Sequence, residues 1–141
     1  MAIERLTCDL KSLGRDADAC EARLLAETAV NGAIALAGQY RAVRPAGLQN
    51  MLVNSKWKPR GLCYHWANDL EAMLVPLPVQ SFQIHRVVSG LQSRHEHNAM
   101  VVTRRGRPLT EGILLDAWRK GGRLYWLRVP EDPKYIWKPS P

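Results

Sequence analysis

Apolar residues recur at spacings of three and four between Asp16 and Tyr40, where Leu25, Ala29, Ala33, Leu36 and Tyr40 form one stripe. Asp16, Glu21, Arg23, Glu27 and Asn31 fall largely on the other side, so the segment is predicted to be an amphipathic helix. Asp18 followed by Glu21 resembles a capping box at its start. Gly32 and Gly38 weaken its later turns. Arg44-Pro45 then breaks the pattern, because the residue before a proline avoids the helical region. Pro45 can open a second, short helix through Met51 and Val53, since proline is tolerated in a first turn. Lys56 to Gly61 reads as a loop by composition. A stronger stripe follows in Cys63, Trp66, Ala67, Leu70, Met73 and Leu74, spaced as one helix face. Val75-Pro76-Leu77-Pro78 ends it.

After Pro78 the pattern changes to strands. Phe82–Val88 is a mixed run with β-branched residues, and Ala99–Thr103 is short and apolar, as a central strand would be. Ile113–Trp118 and Leu124–Val129 are predicted as two more. Arg105-Gly106-Arg107-Pro108 and Lys120-Gly121-Gly122-Arg123 supply the turns between them. Helices first and strands after predict an α+β domain, with N-terminal helices packed on a C-terminal antiparallel sheet. The domain is expected over residues 16–129. Residues 1–15 read as an irregular N-terminal segment, and 130–141 as an irregular strap. Tyr135, Ile136 and Trp137 give that strap reason to dock.

The 141-residue length suits one domain with one real core. Hydrophobic residues are 46% and charged residues 23%, which excludes a disordered, collagen-like or coiled-coil chain. No apolar run approaches the roughly 18 residues of a membrane span, so no transmembrane segment is expected. Met1 to Arg5 lacks the basic and apolar regions of a secretory signal. The chain therefore reads as cytoplasmic, or as an exported protein without its signal segment. The net charge of +7 favours an anionic partner. Arg104, Arg105 and Arg107 form a basic turn that is the candidate anion-binding place. Three cysteines, an odd number, argue against a disulfide scaffold. Cys20 is expected to be packed, and Cys8 to be exposed in a frayed segment.

The remaining cysteine changes the picture. Cys63 lies in the first turn of a predicted helix, where the dipole and unpaired amides favour thiolate. His97 stands at the head of a buried strand and is a candidate base. Asp116 lies in the apolar run of the next strand, where an unpartnered carboxylate is costly, so it is a candidate to orient His97. Cysteine-based acyl transfer needs these parts. The amides at the helix start would receive the developing oxyanion.

Gly61-Leu62-Cys63-Tyr64 resembles the Gly-x-Cys-Trp nucleophile motif of transglutaminase-like proteins, with Tyr64 in place of the usual Trp. His97-Asn98-Ala99-Met100-Val101-Val102 resembles their histidine strand and the His-Ala-x-x-Val strand of papain-like proteases. Gly112 to Trp118 resembles the strand that ends in the triad aspartate. The chain from Trp57 to Val129 thus resembles bacterial transglutaminase-like cysteine proteases. The resemblance implies a minimal papain-like or transglutaminase-like fold and a Cys63-His97-Asp116 triad. It also implies a thioester intermediate and a peptide, protein or cell-wall-like amide substrate. Papain-like enzymes place an oxyanion-hole glutamine six residues before the cysteine. Trp57 holds that spacing here, with Asn54 as the nearby amide alternative.

Other readings stand beside this one. Cys63 lies on an apolar stripe, where free cysteine is often plain core. His95 competes with His97 as base, since two residues apart in a strand share a face. Trp118 would share a face with Asp116 and wall a cleft together with Tyr64 and His95. A metal site of His95, His97 and Cys63 or His85 lacks supporting spacing, so no metal or cofactor is expected. The charge would suit a non-catalytic binding module for nucleic acid or another anion. An inactive scaffold of the same fold is the third reading.

Overall fold

The computed structural model describes residues 1–40 and 63–141, with the Cys63 side chain outside the description. The expected short helix through Met51 and Val53 and the loop over Lys56–Gly61 lie outside the described residues. So do Trp57 and Asn54.

The chain opens with helix α1, Ala2–Lys11, where composition predicts an irregular segment. Leu6 and Leu10, one turn apart, are fully buried. Ile3 packs beside them, but a ten-residue helix is marginal in isolation, so packing against the next helix decides this one. That helix, α2, spans Ala19–Tyr40 and buries Leu25, Ala26, Ala29, Ala33 and Leu36. It starts at Ala19 because Asp18 caps it, accepting the Glu21 N–H at 2.9 Å. The capping box is only half closed. Glu21 instead accepts from the Gln80 and Ser81 amides, each at 2.9 Å, and ties α2 to the connection that leads into the sheet. Helix α3, Cys63–Leu74, packs on α2 and on the sheet. A Cβ on Gly32 would sit 2.7 Å from the Met73 sulfur, so this glycine allows α2 and α3 to approach closely.

Five antiparallel strands follow: β1 Phe82–Ser89, β2 His97–Arg104, β3 Ile113–Asp116, β4 Tyr125–Arg128 and β5 Lys138–Pro139. Their order is β4-β3-β2-β1-β5. The fold class is therefore α+β, with N-terminal helices packed on a C-terminal antiparallel sheet. β2 lies at the centre and is buried from His97 through Thr103. Its side chains alternate between two cores. Met100 and Val102 join the helix-side core with Trp66, Leu70 and Phe82. Ala99 and Val101 join a smaller core with Val87, Leu114, Val129 and Trp137.

That second core requires a cover, and the C-terminal strap supplies it. The strap is not wholly irregular: a 3-10 turn over Val129–Glu131 opens it, and Lys138–Pro139 adds β5 beside β1. Trp137 is buried, so the strap docks on the sheet. β3 is shorter than expected. It ends at Asp116 because the carboxylate accepts the Trp118 and Arg119 N–H groups and turns the chain. Trp118 thus leaves the strand and does not share a strand face with Asp116. Gly121 and Gly122 then take φ of 62° and 97°. A Cβ on Gly122 would lie 2.2 Å from that of Ala37, so this turn rests directly on α2.

Candidate active site

Register sets the first contact. β2 pairs with β3 through Met100 and Leu115, which brings the start of one strand beside the end of the other. His97 is the first residue of β2, and Asp116 is the last of β3. His97 Nε2 lies 2.6 Å from Asp116 Oδ2, with the two side chains 2% and 1% exposed. Burial of either polar group alone would be costly, and the pairing offsets that cost.

Four donors converge on Asp116, the set that suits an ionised carboxylate. Oδ1 accepts the backbone N–H groups of Trp118 and Arg119, each at 3.0 Å. Oδ2 accepts from His97 and from Arg119 Nε at 3.1 Å. With Nε2 donating to the carboxylate, neutral His97 carries its lone pair on Nδ1. The bond to Asp116 therefore selects the tautomer that can act as a base.

Among the described residues, three aromatic rings pack around the imidazole. Trp118 and Tyr135 each stand 4.7 Å from it, and Trp137 stands 5.4 Å away. Tyr135 and Trp137 come from the strap, on the same side of the sheet as Ala99 and Val101. Trp118 packs against the helix-side core and still reaches His97. The two sides of the sheet thus meet at the end where β2 begins.

Behind Asp116 lies a network that sequence reasoning missed. Arg119 extends to Asp132, with Nη1 at 3.3 Å from Oδ1 and Nη2 at 2.9 Å from Oδ2. Its guanidinium stacks over Tyr125 and Tyr135. Asp132 also accepts the Lys134 and Tyr135 amides and the Trp137 indole N–H. Burial by itself would raise the Asp132 pKa, but the hydrogen bonds from Arg119 and Trp137 and the Arg119 charge hold it down at about 2. Burial would likewise lower the Arg119 pKa, and its bond to Asp132 and the charges of Asp116 and Asp132 raise it. In sequence, Arg119 is one more basic turn residue and Asp132 a tail residue, so nothing local marks the pair.

The depressed Asp132 pKa has a consequence for acid stability. A carboxyl held below its ordinary 3.8 contributes stability that is complete above about pH 4 and is lost as pH falls through about 2. The contribution is on the order of 2 kcal/mol. Thermal melts of the wild type and Asp132→Asn should therefore differ most above pH 4 and converge toward pH 2. A difference that does not depend on pH would count against the pairing.

The other expected site residues are distributed as follows. His95 is exposed in the turn before β2, so it does not share a strand face with His97. Tyr64 is 43% exposed on α3 and stacks on His65 at 4.2 Å. His85 bonds Thr103 Oγ1 at 2.8 Å, and burial lowers its pKa. Cys8 and Cys20 are both exposed, so Cys20 is not packed as expected. The basic turn is not a row of bare cations. Arg104 pairs with Asp16, Arg105 bonds the carbonyls of Gln80 and Phe82, and Arg107 grips Glu111 with two bonds. Among the described residues, no group of three His, Cys, Asp or Glu is placed to hold a metal ion, and no helix is long and apolar enough to cross a membrane.

The course of α3 can be read from its described residues. Its last residue, Leu74, leads through Val75–Ser81 into Phe82, which lies across from Arg104. Arg86, further along β1, donates to Asn68 at 2.7 Å and to Glu71 at 3.2 Å. α3 thus runs antiparallel to β1, and its start is directed toward the sheet end that bears Ser89 and His97. Cys63 is the first residue of that helix.

No protein-family model matches this chain, and no curated protein or solved structure matches it either.

Proposed function

We propose that the protein catalyses cysteine-dependent acyl transfer on an amide or peptide substrate, as a peptidase, amidase or transglutaminase-like enzyme. The observation that carries this reading is the 2.6 Å bond between His97 Nε2 and Asp116 Oδ2, buried at the sheet end toward which α3 directs its first residue. The resemblance of the Cys63, His97 and Asp116 segments to transglutaminase-like proteases supports it. A peptide, protein or cell-wall-like amide is the substrate class that this chemistry implies.

Each residue then has a defined task. His97 Nδ1 takes the proton of the Cys63 thiol, and Asp116 stabilises the imidazolium that forms. The thiolate sulfur bonds to the substrate carbonyl carbon, and the amides at the start of α3 receive the oxyanion. Collapse breaks the carbon–nitrogen bond, and the imidazolium gives its proton to the leaving amine. A thioester remains on Cys63. Water attacks it with His97 again as base, which releases an acid and restores the thiol. An amine in place of water gives a new amide.

The test uses protein with Cys8 and Cys20 replaced by serine, so that Cys63 is the remaining thiol. Its alkylation by iodoacetamide should follow a pH midpoint well below the roughly 8.5 of an ordinary thiol. His97→Ala should raise that midpoint toward the ordinary value, and Cys63→Ala should abolish labelling. An ordinary midpoint that is indifferent to His97→Ala would sink the reading.

A further inference from the structure

The geometry points to Arg119 and Asp132 as positioning residues through which the C-terminal strap sets the orientation and charge balance of the His97–Asp116 pair. This inference rests on the reading of His97 as the base. Four groups of alternating charge stand in line. His97 and Asp116 are 2.6 Å apart, Asp116 and Arg119 are 3.1 Å apart, and Arg119 and Asp132 are 2.9 Å apart. The Arg119 side chain is 10% exposed and that of Asp132 is fully enclosed. Pairs so far from water are screened weakly.

The arithmetic of this line explains why both residues are needed. Arg119 shares Asp116 Oδ2 with His97, so by itself it cancels the carboxylate charge that would stabilise an imidazolium. Asp132 restores that charge. Asp116, Arg119 and Asp132 together carry −1, and protonation of His97 brings the buried group to zero. Removing the strap's aspartate would leave a neutral trio that gives the imidazolium little support.

The strap performs two tasks with the same few residues. Asp132 grips the Tyr135 amide and the Trp137 indole, and the rings of Tyr135 and Trp137 cover the imidazole. The counter-charge and the cover therefore arrive together. Among the described residues, the charged and titratable groups on neighbouring elements have partners of their own. On α3, Asp69 accepts from Tyr40 and Glu71 from Arg86, and Tyr64 stacks on His65. On β1, His85 bonds Thr103. Beside β2, Glu96 accepts the Gln92 amide.

The test is an NMR titration of the His97 ring nitrogens in the full chain, compared among wild type, Asp132→Asn, Arg119→Gln and Arg119→Lys. Asp132→Asn should lower the His97 midpoint by about half a pH unit or more, and Arg119→Gln should raise it by a similar amount. Arg119→Lys keeps the charge but loses the fork, so it should hold the midpoint near wild type while lowering the melting temperature. Nitrogen shifts at a single pH read the same populations where a titration is incomplete. Should Arg119→Gln not fold, the downward shift in Asp132→Asn and the retained midpoint in Arg119→Lys are the required results. A purely structural role would lower the melting temperatures and leave every midpoint in place, which would overturn the inference, as would shifts of the same sign. Running the same comparison in Cys63→Ala protein removes the thiol that would otherwise titrate together with His97. Failure of the enzyme reading, seen as Cys63 alkylation that ignores His97, is thus distinguishable from failure of this one.

Discussion

Asp116→Asn is expected to slow the His97-dependent reactivity of Cys63 by about a thousandfold or more while the chain still folds. Asparagine keeps the size of the side chain, so the Trp118 and Arg119 amides can retain an oxygen acceptor where Oδ1 now stands. The new amide nitrogen then faces His97 Nε2 and Arg119, where two donors converge. His97 can satisfy that nitrogen only by presenting a bare Nε2, which moves its proton to Nδ1. That is the wrong tautomer for taking a proton from a thiol. The opposite amide orientation sets its nitrogen against two backbone N–H groups. Either arrangement also leaves Arg119 with one fewer counter-charge. Asp116→Ala would be a poorer test, since buried charges left without a partner cost about 3–5 kcal/mol and would confound rate with folding. The alkylation rate of Cys63, with circular dichroism to confirm the fold, decides the matter. A folded Asp116→Asn protein with an unchanged rate removes Asp116 from the site.

The second large effect is on stability. Trp66→Ala should cost about 3–5 kcal/mol of unfolding free energy. Trp66 is 1% exposed and meets the edge of Tyr40 with centroids 4.8 Å apart and planes at 87°. Tyr40 in turn donates its hydroxyl to Asp69, so ring and hydroxyl together join the end of α2 to α3. Trp66 lies one turn after Cys63, and its loss should loosen the start of α3 as well as the core. Urea unfolding followed by circular dichroism measures the cost, and Trp66→Phe should recover a large part of it. A cost below about 1 kcal/mol would mean that this junction does not organise the helix layer.

Much of the fold was legible because its main elements carry their own periodic signal. Leu25, Ala29, Ala33 and Leu36 form a face long enough to identify α2, and Trp66, Leu70 and Leu74 do the same for α3. Ala99–Thr103 is read correctly as the central strand, which the structure extends to His97–Arg104. α1 was read as irregular although Ile3, Leu6 and Leu10 stand at helical spacing, because a ten-residue helix is marginal until α2 packs against it. The end of β3 was hidden for a different reason. Asp116 turns the chain through its own side chain, and an apolar run cannot reveal that.

The candidate site divides along the same line. Residue types and their order marked His97 and Asp116, because a charge inside an apolar strand requires a partner wherever the chain goes. Their separation of 19 residues is closed only by strand register, which is a property of the sheet. Arg119 and Asp132 were invisible for that reason, since their meaning lies in what they touch across 13 residues. The sequence by itself determined an α+β domain with a helix opening at Cys63 and two unusual polar residues in its central strands. The tertiary structure alone decided that these two residues meet, which tautomer their bond selects, and that the C-terminal strap covers them. Periodicity and local cost are written residue by residue, whereas a hydrogen bond between distant strands exists only once packing has fixed the distance.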